Sequence, residues 1–531
     1  MQRREWLKMA GVGMAGAVTP VVGVSHAEPV LDTANNSGHW VSVRAHGAKG
    51  DGAAVDSPAI NRAIEAVAAA GGGTVYFPAG VYLSYSIRLK SKVGLYLDQG
   101  AVILGGPTPM DGTASGGYDD AEPQGAWEPY QDYGHNHWHN SLIWGDGLND
   151  ISITGPGLIW GKGLSRGWDN EKTRPDAKKP GVGNKAIALK NCRNVLLRDF
   201  KILEGGWFGI LATGVDNMTI DNLIIDTIRD GMDIDCCRNV RVSNCTVNSP
   251  WDDGICPKSS FALGYARPTE NLTISNCYVT GGYEIGSVLD GTWKPRNDPK
   301  GGATGRIKMG TESNGGFRNV AISNCVFESC KGLAIETVDG ALAEDITFTG
   351  ITMRDLRSAP FFLRLGTRMR GPKDAKPGVL RRVILGNITC MSAARMPAIV
   401  AGVAEHAIED IKIHDVYVEQ GGTGTAEMAG REPDENASAY PEPEMFGELP
   451  ATGLFARHVR NLEVTNFEVA VRAADARAAF WLKDVDGADF FRVKGPAESA
   501  QFDVRDSKNF RVFGSARVAD TTLGSVETWK A

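Results

Sequence analysis

NVLLRDFKI (residues 194–202), NMTIDNLII (217–225) and NVRVSNCTV (239–247) follow one pattern. Each opens on asparagine and then alternates apolar with polar residues at period two, as a half-buried strand does. The opening asparagines, Asn194, Asn217 and Asn239, are 23 and 22 residues apart. Looser copies follow at NLTISNCYV (271–279), NVAISNCVF (319–327), EDITFTGIT (344–352), EDIKIHDVYV (409–418) and NLEVTNFEV (461–469). The longer gaps mark loops inserted into single repeats. A unit of 20–30 residues with several short strands predicts a solenoid in which stacking supplies the core no single repeat can bury. No repeat segment shows sustained helical periodicity. The expected fold is all-β: a right-handed parallel β-helix.

The N-terminal part departs from the pattern. "SPAINRAIEAVAAA" (57–70) is one amphipathic helix, with Ser57 expected at the N-cap and Pro58 at N1, and Gly71-Gly72-Gly73 ends it. Such a helix caps an otherwise open solenoid end, so residues of about 40–105 are expected to form the cap and first coils. "GAKGDG" lacks the GxxxxGK[ST] spacing of a phosphate loop.

Residues 1–27 carry Arg3-Arg4-Glu5-Trp6-Leu7-Lys8, an apolar Gly/Ala/Val run too short to span a bilayer, and Ser25-His26-Ala27 before a cleavage point. This predicts a twin-arginine export signal, the export machinery as a partner, and a periplasmic or secreted bacterial protein of residues 28–531 with no membrane association after processing. The 531 residues carry a net charge of −7 and no Lys/Arg run, so no nucleic-acid partner is expected. Of the nine cysteines, Cys245, Cys277 and Cys325 close Ser-Asn-Cys triplets, which predicts stacked buried thiols.

Four stretches break the rhythm: 105–140, 162–183, 288–305 and 421–450. Inserts on a solenoid gather on a binding face, and Trp127, Tyr130, Tyr133, Trp138 and Trp293 lie in them as sugar-stacking rings or as loop anchors. His135, His137 and His139 alternate without a nearby acidic partner and predict no metal site.

Two aspartate-rich segments stand one repeat apart, DGMDID (230–235) and WDDG (251–254). Placing Met232 and Ile234 inward beside Ile255 and Pro257 puts Asp230 and Asp253 on equivalent positions of successive coils, about 4.8 Å apart. Asp252 must point elsewhere. Two clustered carboxylates and a third set apart suit inverting glycoside hydrolysis, in which a protonated acid serves the leaving oxygen and a base activates water. Asp233 and Asp235 are expected in surface or supporting roles.

These residues resemble glycoside hydrolase family 28, the polygalacturonases and rhamnogalacturonan hydrolases. Arg229-Asp230-Gly231, Trp251-Asp252-Asp253 and Arg306-Ile307-Lys308 match three of its four motifs in order. The resemblance implies a parallel β-helix, Asp252 as general acid, Asp230 and Asp253 positioning the water, and Arg306 and Lys308 binding an acidic sugar. Lys258 is expected to face outward, aiding them or simply solvated. The chain departs where Ile228 replaces an asparagine and where "GGYEIG" (281–286) lacks the family's histidine; Tyr283 or Glu284 either takes over its contacts or packs. "RLGTRMRG" (364–371) adds arginines that either meet a uronate or form a surface cluster.

The expected protein is thus an exported glycoside hydrolase of pectin-type polysaccharides and oligosaccharides, needing no metal and no cofactor. A calcium-dependent polysaccharide lyase and a non-catalytic glycan-binding β-helix are the alternatives.

Overall fold

In the computed structural model, residues 40–108, 117–167, 176–297, 303–392 and 394–531 are described. The export signal expected at residues 1–27, and parts of the inserts at 105–140, 162–183 and 288–305, lie outside them.

The repeats form the predicted strands, and each pairs in parallel with its equivalent one coil later. Val195 stands beside Met218, then Val240, Leu272, Val320 and Ile346, and Leu197 begins a second such column through Ile220, Val242, Ile274 and Ile322. These side chains are at most 3% exposed and form one continuous core. The chain is a parallel β-helix.

The opening asparagines have a physical reason. Asn194, Asn217, Asn239, Asn271 and Asn319 all turn the chain at φ between 53 and 56°, a left-handed bend that asparagine tolerates better than most residues. Each amide then donates to the side-chain oxygen one coil below: Asn217 to Asn194 at 3.1 Å, Asn239 to Asn217 at 3.1 Å, Asn271 to Asn239 at 3.0 Å and Asn319 to Asn271 at 2.8 Å. One residue type thus satisfies the bend and stitches the stack. Cys245, Cys277 and Cys325 stack inside the core, and all nine cysteines are buried and free.

The helix Ser57–Ala69 lays Ala59, Ile60, Ala63, Ile64 and Val67 on the first coils. Its N-cap is Asp56 rather than Ser57: the Asp56 carbonyl accepts from the Ile60 amide at 2.9 Å, while its carboxylate makes no cap bond and instead accepts from the amides of Lys49 (2.6 Å) and Gly50 (2.9 Å), folding the GAKGDG loop onto the helix start. The far end is closed by Thr521–Lys530, which returns antiparallel along Phe502–Phe513.

A second, shorter sheet carries Lys185–Lys190, Phe208–Thr213, Asp230–Asp235 and Ile255–Lys258 in parallel register. Its outer face is covered rather than solvated. Residues of the first insert place Trp138 on Ala188, Trp207, Phe208 and Leu211, and further along, on strands of the large sheet, the 421–450 insert places Phe446 and Leu449 on Phe362, Ile399, Phe455 and Trp481. These inserts frame the site.

Candidate active site

Met232 pairs with Ile255 and Ile234 with Pro257, and the ladder runs on through the Gly231 amide donating to Asp253 O at 3.0 Å. Asp230 and Asp253 therefore occupy equivalent positions of successive coils, and the Asp253 amide donates to Asp230 Oδ1 at 3.2 Å. Glycine follows Asp230 because the coils approach closely there. A Cβ on Gly231 would meet Gly254 O at 2.4 Å and Val247 Cγ1 at 2.5 Å. Asp252 is not set apart as expected: its side chain hydrogen-bonds that of Asp230 on the neighbouring coil, and its Oδ2 takes both Nε and Nη2 of Arg229 at 3.1 Å.

The environments drive these neighbours apart. Burial, reinforced by the charges of Asp252 and Asp233, holds the Asp230 carboxyl well above the usual carboxylate range. Burial acts on Asp252 as well, but Arg229, a hydrogen bond from Asp230 and Lys258 outweigh it and leave Asp252 below its ordinary value. A proton shared by this pair is therefore favoured on Asp230 over Asp252. The resemblance implies Asp252 as the acid, whereas the surroundings favour the proton on Asp230, one coil earlier.

Asp253 is held by Arg306 Nε at 2.8 Å and Lys308 Nζ at 3.7 Å. Both cations are 1% exposed, because the 421–450 insert roofs them. Glu442 Oε1 binds Arg306 Nη2 at 2.5 Å and Lys308 Nζ at 3.5 Å, while its Oε2 meets Lys331 Nζ at 3.0 Å. The Tyr440 hydroxyl sits 3.2 Å from Lys308 Nζ and 3.1 Å from Thr311 Oγ1. Buried Glu336, pushed up to about 7 by burial against the pull of Lys308 and Arg306, lies 3.5 Å from Lys308.

Lys258 faces outward as expected, but it is buried, with Glu312 at 3.2 Å and Asp233 at 3.9 Å. Asp233 and Asp235 are not at the surface: both are fully buried under the first insert and the loop after Lys258. Asp235 accepts from the Ser260 amide and hydroxyl, and burial pushes Asp233 up to about 8. His135 stands 3.7 Å from Asp233, and burial with the charge of Lys258 lowers it to about 4.

Several expectations are corrected. The histidines do have acidic partners, within the same insert: His137 bonds Glu128 at 2.8 Å and His139 lies 3.5 Å from Glu122. Tyr283 and Glu284 are not brought to the aspartates. The Tyr283 hydroxyl bonds Glu328 and its ring packs on Trp293, while Glu284 pairs with Lys294. The arginines of 364–371 form no open cluster. Arg364 bonds the carbonyls of Gly402 and Glu435, Arg368 pairs with Asp339, and Arg370 with Asp132.

Asp230, Asp253 and Cys256 bring their ligand atoms within 4.8 Å of one another. That donor set suits a cation poorly, since Arg306 and Lys308 already neutralise Asp253, and burial beside Asp230 raises the Cys256 thiol. Glu442, Tyr440, Glu336 and Lys331 carried no signal legible before the fold. Arg229 could have been found, since it directly precedes Asp230.

Residues 40–115 match the family model described as rhamnogalacturonase A/epimerase, pectate lyase-like, and residues 185–357 match the right handed beta helix region. The chain is similar to a probable polygalacturonase of Vitis vinifera, 25% identical over 351 residues that cover 60% of this chain and 63% of that protein. It is 30% identical over 256 residues to plasmin and fibronectin-binding protein A of Streptococcus pneumoniae (strain ATCC BAA-255 / R6), covering 45% of this chain and 31% of that one. The chain thus spans less than two thirds of the length of both relatives. Among solved structures, the family 28 exopolygalacturonase of Yersinia enterocolitica superposes with a TM-score of 0.56 at 19% identity, covering 85% of this chain and 78% of that one. The fold is the right-handed parallel β-helix.

Proposed function

We propose that this chain is a glycoside hydrolase of pectin-type polysaccharides or oligosaccharides, acting by an inverting, metal-independent acid/base mechanism. The observation that carries this reading is the meeting of Asp230, Asp252 and Asp253 on two successive coils, with Asp230 raised and Asp252 lowered by their surroundings and two cations on Asp253. Asp252, whose side chain is 27% exposed, meets the glycosidic oxygen and passes it the proton stored on Asp230. Asp253, fixed by Arg306 and Lys308, orients water and accepts its proton on the opposite face of the sugar. Trp251, 39% exposed beside Asp252 and stacked under Arg296 at 4.2 Å, offers a sugar platform. The similarity to proteins named polygalacturonase supports the pectic substrate class. Residues 1–27 direct the chain through twin-arginine export.

The test is a product screen on polygalacturonan and rhamnogalacturonan fragments, with and without EDTA, beside Asp252→Asn. Saturated reducing sugar that persists in EDTA, is lost in Asp252→Asn and appears first as the inverted anomer by NMR supports the proposal. Unsaturated product lost on chelation identifies a lyase, and glycan binding without turnover identifies a binding protein.

A further inference from the structure

The cationic floor of the site is already occupied by the protein itself. Arg306 and Lys308 are the residues the family resemblance assigns to an acidic sugar. Here they share a single carboxylate, Glu442, delivered from more than 130 residues downstream. Lys331 closes the other oxygen of that carboxylate and lies 3.8 Å from Glu444. Three cations, Arg306, Lys308 and Lys331, thus face three carboxylates, Asp253, Glu442 and Glu444, with Glu336 a fourth. None of these three charges is left over for a substrate carboxylate.

The same insert supplies a different kind of contact. Tyr440 is 56% exposed, yet its hydroxyl is pinned at Lys308 and Thr311, and its ring centroid lies 5.0 Å from Lys308 Nζ. A fixed, half-exposed ring beside neutralised cations suits the apolar face of an uncharged sugar. A uronate placed there would set its carboxylate against that of Glu442, and such like-charge juxtaposition discriminates strongly.

The geometry points to Glu442 as a specificity-determining residue that makes the subsite beside Arg306 and Lys308 accept a neutral sugar in place of a uronate. The inference rests on the pectic-hydrolase reading and narrows it to chains in which neutral and acidic sugars alternate, as in rhamnogalacturonan, rather than unbroken polygalacturonate.

The experiment compares full-length wild type, Glu442→Gln and Glu442→Asp for binding of trigalacturonate and of alternating rhamnose–galacturonate oligomers, by calorimetry, with hydrolysis measured in parallel. Wild type is expected to prefer the alternating oligomer. Glu442→Gln should release Arg306 and Lys308 and tighten trigalacturonate binding roughly tenfold or more, while Glu442→Asp keeps the wild-type preference. Wild type that binds trigalacturonate as tightly as Glu442→Gln overturns the inference, and so does a Gln variant that gains no affinity. Should the Gln variant not fold, wild type decides alone: tighter binding of trigalacturonate than of the alternating oligomer overturns it. Absence of hydrolysis from every protein defeats the parent reading and leaves the binding comparison to judge Glu442.

Discussion

Arg229 grips Asp252 through Nε and Nη2, both 3.1 Å from Oδ2, and this contact decides which of two touching carboxyls keeps the proton. Without the guanidinium, only the hydrogen bond from Asp230 and the charge of Lys258 would oppose the burial that raises Asp252. Arg229 is itself fixed, lying 4.9 Å over the Trp207 ring and donating to Arg166 O at 3.0 Å.

The active state of such a pair holds one proton, so its pH profile is bell-shaped, bounded by gain of a second proton and loss of the only one. Arg229 stabilises negative charge on the pair and therefore lowers both bounds. Arg229→Gln is expected to move both limbs of the kcat/KM profile to higher pH. Asp252→Asn should lower kcat by about 10²–10⁴-fold at every pH. An Arg229→Gln profile that loses height without shifting would show that Arg229 does not set the proton.

Asp233 controls stability in the opposite direction from most carboxylates. Its folded value, about 8, lies above the ordinary 3.8, because burial opposes ionisation. The unfolded chain ionises first, so this contribution to stability is complete below pH 4, is lost as pH rises, and stops changing above about 8. Asp233→Asn replaces the neutral acid by an amide of the same shape and removes that dependence. The variant's Tm should gain on wild type between pH 5 and pH 8, by an amount on the order of 1–3 °C. A gap that stays constant across that range would mean that Asp233 is already ionised in the fold.

The carboxylates were legible because a β-helix leaves little freedom of register. Once Met232 and Ile234 face inward beside Ile255 and Pro257, the positions of Asp230 and Asp253 follow. The burial of Asp233 and Asp235 was not legible, since an outward residue on a strand ordinarily meets water, and the cover comes from an insert some hundred residues earlier. The roof over Arg306 was hidden for the same reason. Nothing local in "AYPEPEMF" (439–446) announces Glu442 as a counter-ion, because the contact joins positions 136 residues apart. Tyr283 and Glu284 were candidates through a gap in a family motif, which locates a loop without saying where its side chains point.

The asparagine ladder predicts an asymmetry between two substitutions. Asn239 bends the chain at φ 56°, donates to Asn217 and accepts from Asn271. Asn239→Ala loses both exposed hydrogen bonds and pays for a left-handed alanine, about 2–3 kcal/mol together. Asn239→Gly loses the bonds but bends freely, so it should be the less destabilised of the two in guanidinium unfolding. Equal midpoints would assign the position to hydrogen bonding alone, and a more stable alanine would contradict the bend as its reason.

Trp138 links the first insert to the short sheet and, through His135, to the charged pocket beside the aspartates. It is 1% exposed, its Nε1 donates to Thr213 Oγ1 at 3.1 Å, Lys190 Nζ lies 3.9 Å from its ring, and it packs on Trp207 and Phe208. Trp138→Ala removes about 3–5 kcal/mol of local packing. Little of the coil-to-coil core depends on this contact, so the loss should open the insert before the β-helix unfolds. Amides of residues 117–140 are then expected to exchange with solvent much faster, while those of Asp230–Asp235 stay protected and kcat/KM falls as water reaches Asp233 and Lys258. Uniformly faster exchange along the chain would instead make the insert part of the same cooperative unit as the coils it covers.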